Sequence, residues 1–164
     1  MTTQTSDYWK LFRPVHCNMR LKAADKDLVL EELVQTLVKS KALDESLGAD
    51  ALKSLVEREK LASTGVGMNV AIPHVQLDGL EQVVVSLCLH PEGVEWSALA
   101  GEPVQILFTV LRPSQASAQY DPERHLDMMR WLSRLCRDAD FRRFALAVKT
   151  RTELVDLLKE MSSI

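Results

Sequence analysis

Pro73 and His74 close the run Arg58-Glu59-Lys60-Leu61-Ala62-Ser63-Thr64-Gly65-Val66-Gly67-Met68-Asn69-Val70-Ala71-Ile72-Pro73-His74. A proline fixes its own φ and restricts the residue before it, so Ile72 and Pro73 give the His74 imidazole a defined direction. An imidazole serves as nucleophile, general base or metal ligand near neutral pH. Ser63, Thr64 and the backbone N–H groups around Gly65 and Gly67 are donors of the kind that hold phosphoryl oxygens. The same two glycines also suit a plain turn that needs φ > 0. The third glycine of a dinucleotide fingerprint is missing and no GK[ST] follows, which argues against a nucleotide site.

The other histidines are His16, His90 and His125. His16 precedes Cys17, and Cys88-x-His90 would share one side of a strand, but neither pair has a zinc spacing or a second half-site. Each reads as a surface histidine beside a buried cysteine, and we expect no metal and no cofactor. His125 follows Asp121-Pro122-Glu123-Arg124, the start of a helix. It is either a solvated first-turn residue or part of a helix N-terminus that brings an anion to a shared site. Spacing does not choose between them.

The elements that must position these residues follow from periodicity. Residues 1–14 read as a loosely attached leader with Tyr8, Trp9, Leu11 and Phe12 as anchors, and 15–21 as a short strand. Asp25 suits the N-cap of a helix to Lys39, because Leu28, Leu30, Leu33, Val34, Leu37 and Val38 recur at helical spacing. A second helix is predicted over 49–61 with Leu52, Leu55 and Val56 inward, stopped by Gly65 and Gly67. Residues 70–72 are extended. The continuous apolar runs 83–89 and 103–111 predict strands covered on both faces, antiparallel to each other across a short link. After the polar, proline-bounded loop 113–122, helices are predicted from Pro122 through Cys136, over 140–148 and over 152–161. Apolar strands among amphipathic helices give an α/β (α+β) architecture, a mixed sheet with helices on both faces.

The chain has 164 residues, 46% of them hydrophobic, 26% charged, with a net charge of −3. That length fits one domain able to bury roughly 70% of its unfolded surface. The acidic balance argues against a nucleic-acid partner. Three widely spaced cysteines, Cys17, Cys88 and Cys136, suit a reduced cytoplasmic setting rather than a disulfide framework. No run approaches the ~20 apolar residues of a membrane span, and the polar start MTTQTSD lacks a signal peptide's regions.

The motif at 58–74 closely resembles the phosphohistidine motif of enzyme IIA domains of the bacterial phosphotransferase system (PTS), of the fructose/mannitol type that includes the nitrogen-regulatory IIA protein. Trp96-Ser-Ala-Leu-Ala-Gly-Glu-Pro-Val-Gln-Ile-Leu-Phe108 resembles that family's approach to a central strand, and His125-Leu126 with Leu132, Leu135 and Asp138 its later His-Leu helix. The resemblance spans roughly residues 15–160, implying a IIA domain over 15–162 after the leader. It implies that His74 accepts a phosphoryl group from an HPr-like phosphocarrier protein and passes it to a IIB domain, or keeps it as a regulatory mark. Arg58 and His125 would support the phosphoryl group, with Ser63, Thr64, Gly65 and Gly67 in the loop beside it. The alternative it leaves open is a non-transferring regulatory module on the same fold, controlling a kinase, transporter or transcription factor.

Two positions depart from the family pattern. Gly67-Met68-Asn69 stands where Gly-Asn-Gly is usual, and Asn tolerates the left-handed region. Val75 stands where a small residue usually follows the histidine. A β-branched residue avoids φ > 0 and adds bulk, so Val75 is expected to narrow access to His74.

Overall fold

The computed structural model describes residues 7–96 and 101–164. The first six positions of the leader and residues 97–100 of the Trp96–Phe108 segment lie outside the described residues. Helix α1, Lys26–Lys39, begins where expected: the Asp25 side chain accepts from the Leu28 N–H at 3.0 Å. Helix α2 covers Gly48–Leu61. Then come β1, Gly65–Gly67; β2, Val70–Ala71; β3, His74–Leu77; β4, Val84–Val94; and β5, Val104–Pro113. Helices α3, Pro122–Arg137, α4, Ala139–Ala147, and α5, Arg151–Glu160, end the chain. Pro122 occupies the first turn of α3 and Asp121 caps it, as the sequence signals require.

Strand β5 is the centre of the sheet. It pairs antiparallel with β4, with Leu87 opposite Phe108, and parallel with β2 and β3 on its other side, with His74 opposite Val110. The sheet is therefore mixed. Because side chains alternate along a strand, β5 divides the interior. Ile106, Phe108 and Val110 face a core built with Phe12, Trp131, Leu135 and Phe141. Leu107 and Leu111 face a second core with Leu30, Leu33, Leu37 and Leu55. Helices α1 and α2 thus cover one face and α3, α4 and α5 the other, which is why both long strands read as unbroken apolar runs.

Three local expectations change. Residues 15–21 form no regular strand. Pro14–His16 is a 3-10 turn, and Asn18 Oδ1 accepts from the Arg20 N–H at 2.9 Å, curling the chain locally. The segment joins β4 through an isolated bridge from Asn18 to Cys88 and a bond from the Leu21 N–H to the Leu89 carbonyl at 2.9 Å. Helix α2 stops before the glycines, because Ala62 is already extended at φ −167°; Gly65 and Gly67 belong to β1. Of the four leader anchors, Tyr8 and Phe12 are buried and Trp9 packs against the core, whereas Leu11 is exposed.

Candidate functional site

Strands β1 and β2 form a hairpin whose two connecting residues, Met68 at φ 55° and Asn69 at φ 62°, are both left-handed. Two positive φ values in succession are the pattern of a type I′ turn, which follows the natural twist of a hairpin. The Asn69 carbonyl accepts from the N–H groups of Gln105 and Ile106, and its Nδ2 donates to Gln105 Oε1 at 3.1 Å. These bonds fasten the hairpin to β5.

Pro73 then divides β2 from β3. Having no N–H, it gives the sheet only its carbonyl, which accepts from Val110 at 2.9 Å. His74 Nδ1 lies 2.6 Å from the Ile72 carbonyl. A carbonyl can only accept, so Nδ1 carries the proton and the Nε2 lone pair is left for chemistry. The proline break and this bond orient the ring.

His74 is half-buried in an open cleft of about 410 Å³, beside Arg58 and Leu61 of α2, Val75 of β3 and Arg112 of β5. Arg58 Nη1 donates to the Ala62 carbonyl at 2.7 Å, which anchors the guanidinium at the end of α2. Arg112 shares its side of β5 with Val110, His74's partner across the ladder. The spacing of motifs did not single out Arg112. Its signal was a cation ending an otherwise apolar strand.

His125, in the first turn of α3, is close enough to feel both Arg112 and His74. Burial, then repulsion from Arg112 and His74, hold its imidazole below the ordinary 6.5. Its ring meets Tyr120 edge-on at 5.7 Å. The fold therefore brings His74, Arg58, Arg112 and His125 into one neighbourhood.

The loop residues have a different place. Among the described residues lining the His74 cleft, Ser63, Thr64, Gly65 and Gly67 do not appear. Ser63 Oγ accepts from the Gly65 N–H at 3.1 Å. Thr64 is buried, its hydroxyl and N–H both donate to the Glu59 carboxylate, and the hydroxyl accepts from Trp96 Nε1 at 3.2 Å. Glu59 in turn pairs with Lys26 Nζ at 2.6 Å. Sequence reasoning missed this network because Glu59 reads as one more charged helix residue.

Val75 is extended within β3 and absent from the positive-φ positions, so its backbone is unstrained and its effect is bulk alone. His90 is buried rather than on the surface, since β4 stays covered through this position; its Nε2 meets the Ala23 carbonyl at 2.8 Å. Burial raises the thiols of Cys17 to about 11 and of Cys88 and Cys136 to about 12, leaving them protonated and inert near neutrality. Among the described residues no helix is long and apolar enough to cross a membrane.

Residues 10–161 match the family model for the phosphoenolpyruvate-dependent sugar phosphotransferase system, EIIA 2. The chain is 30% identical to the PTS system fructose-specific EIIA component of Haloferax volcanii over 84% of its own length and 85% of the relative's. It is also 30% identical to a nitrogen regulatory protein of Pseudomonas aeruginosa, covering 94% of this chain and 96% of that one. Among solved structures, nitrogen regulatory protein IIA-Ntr from Neisseria meningitidis superposes with a TM-score of 0.76 at 27% identity, over 93% of this chain and 99% of that chain. The Escherichia coli mannitol IIA enzyme, solved in complex with phosphorylated mannitol IIB, shares the fold at TM-score 0.62 and 20% identity, over 87% and 93% of the two chains.

Proposed function

The chain belongs to the phosphoenolpyruvate-dependent sugar phosphotransferase system EIIA 2 family, and from that premise we propose that His74 is its phosphoryl acceptor and Nε2 the reacting atom. The observation that supports this reading most is the bond from His74 Nδ1 to the Ile72 carbonyl in a cleft that also holds Arg58 and Arg112.

The transfer balances simply. The Nε2 lone pair attacks the phosphorus of an HPr-like carrier's phosphohistidine, a new N–P bond forms, and the donor's N–P bond breaks with its electron pair returning to the donor ring. The acceptor ring gains positive charge, which the Ile72 carbonyl stabilises through Nδ1–H. Arg58 and Arg112 face the phosphoryl oxygens with charge-assisted donors, Arg58 by the N–H groups that Ala62 does not use. Phosphoryl transfer depends mainly on such positioning and charge stabilisation. His125, its imidazole held below the ordinary value by burial and then by Arg112 and His74, offers an imidazole N–H to the phosphoryl group. Delivery then goes to a cytoplasmic IIB domain.

Similarity to nitrogen regulatory proteins over nearly the whole chain favours a second reading, in which phosphate stays on His74 as a mark read by a regulatory target. Incubation with phosphoenolpyruvate, enzyme I and the phosphocarrier should place an acid-labile phosphate on the chain, and His74→Ala should abolish it. Labelling that persists in His74→Ala would refute the assignment. His125→Ala should fold normally and slow transfer about ten- to hundredfold, the effect of one hydrogen bond to a charged group; an unchanged rate removes His125 from the mechanism. A chase with fructose- and mannitol-type IIB domains separates the readings: carriers lose the label within the assay, a regulatory mark keeps it.

A further inference from the structure

A second cavity of about 350 Å³ lies where the leader, the loop after α1, the start of β4 and the start of α3 converge. His125 borders it, but His74 does not. Its apolar wall includes Tyr8, Tyr120 and Met128. Four cations, Lys10, Arg13, Lys41 and Arg124, line it against a single carboxylate, Asp121, in a chain whose net charge is −3. That carboxylate is turned to its own helix, accepting from the Glu123 N–H at 3.0 Å. Arg124 is held by Asp7 at 2.5 Å. Lys10, Arg13 and Lys41 have no ion-pair partner among the described residues.

Lys10 lies within electrostatic reach of Asp7 and its ammonium stands over the Trp9 ring, 5.9 Å from the centroid; a concavity with this excess of cations still draws anions toward it. The two imidazoles in the wall are both held low chiefly by burial, and only His16 is also held by a cation of this cavity. His16 is held below its ordinary value by burial and by Arg13, and His125 by burial, Arg112 and His74. The volume falls at the small end of ligand sites.

We propose that this cavity binds a small phosphorylated organic molecule, its phosphate dianion held by Lys10, Arg13 and Lys41 and its body laid against the accessible apolar side chains of the wall, Leu11 and Val83. A phosphate dianion meets three separated cations better than one carboxylate does, and its oxygens radiate toward all of them. Because His125 forms part of both this wall and the His74 neighbourhood, occupancy reaches the phosphoryl site through one side chain. The binding itself involves no phosphoryl transfer, so its test is independent of His74's assignment.

The intact, unphosphorylated chain should be titrated with glucose 6-phosphate, 3-phosphoglycerate, citrate and glucose, following backbone amide shifts by NMR. The phosphate esters should saturate with Kd below about 1 mM, shifting Lys41, Ala42, Val84 and Gln119. The double variant Arg13→Gln/Lys41→Gln, and separately Lys10→Gln, should weaken binding, the double variant by about tenfold or more. Both sets of positions are exposed, so folding is checked by circular dichroism. His74→Ala should retain the wild-type affinity. Absence of saturable binding by both esters, shifts centred on the His74 cleft, or an unaltered affinity in the double variant would overturn the proposal. Citrate or glucose binding as tightly as the esters would overturn the assignment of phosphate.

Discussion

Met68 and Asn69 show how a single residue type sets the quality of the site's foundation. Both occupy the left-handed region, at φ 55° and 62°, where an L side chain is disfavoured by about 1 kcal/mol or more. Asn69 offsets this through its bonds to Gln105 and Ile106; Met68 has an exposed side chain and no such bond. Met68→Gly should therefore stabilise the protein by about 0.5–1 kcal/mol, seen as a higher urea midpoint at unchanged slope. A lower midpoint would show that the Met68 side chain contributes packing the turn needs. At Val75 the sequence raised a concern about the backbone that the structure removes, because the residue is regular β3. What remains is its bulk beside His74, a matter of approach by a partner rather than of folding.

At the scale of elements, the motif loop is held by a chain of buried polar contacts. Lys26 of α1 pairs with Glu59 of α2 at 2.6 Å, Glu59 binds the Thr64 N–H and hydroxyl, and Trp96 donates to Thr64. Lys26 Nζ also donates to the Trp96 carbonyl at 2.7 Å. Two helices and the segment that enters β1 are thus joined through one carboxylate. Removing one partner from a buried pair strands the other charge, so Glu59→Ala should cost about 3 kcal/mol. Lys26 is 22% exposed at its side chain, which keeps the effect at the low end of that class. Thermal or urea unfolding measures it; a loss below about 0.5 kcal/mol would mean the network merely decorates the loop. The charged positions of α2 look alike in the sequence. Only the docking of α1 against it makes Glu59 different from Glu57, which is exposed.

Over the whole molecule, titration links the site to stability. His16 and His125 are both held below their ordinary 6.5, chiefly by burial and then by neighbouring positive charge. The unfolded chain therefore binds more protons than the folded one as pH falls through this range, and folding loses free energy. Stability should be full above about pH 6.5 and decline progressively below it, while Asp7 and Asp44, held below 3.8, enter only at lower pH. Urea midpoints measured from pH 8 to pH 5 should fall, and His16→Gln/His125→Gln should flatten the curve. A flat wild-type curve would remove these histidines from the balance. The sequence alone determined the helices α1 and α3 with their Asp25 and Asp121 caps, the two doubly covered strands β4 and β5, and the fixed direction of His74, because periodicity, capping and proline restraint act over a few residues. The tertiary structure decided that Arg112 and His125 meet His74, that Thr64 serves Glu59, that residues 15–21 curl away from a strand, and that the leader closes a cationic cavity. Those outcomes depend on the register of β3 on β5 and on which helix faces dock, and surfaces far apart along the chain carry no local signal of whom they will meet.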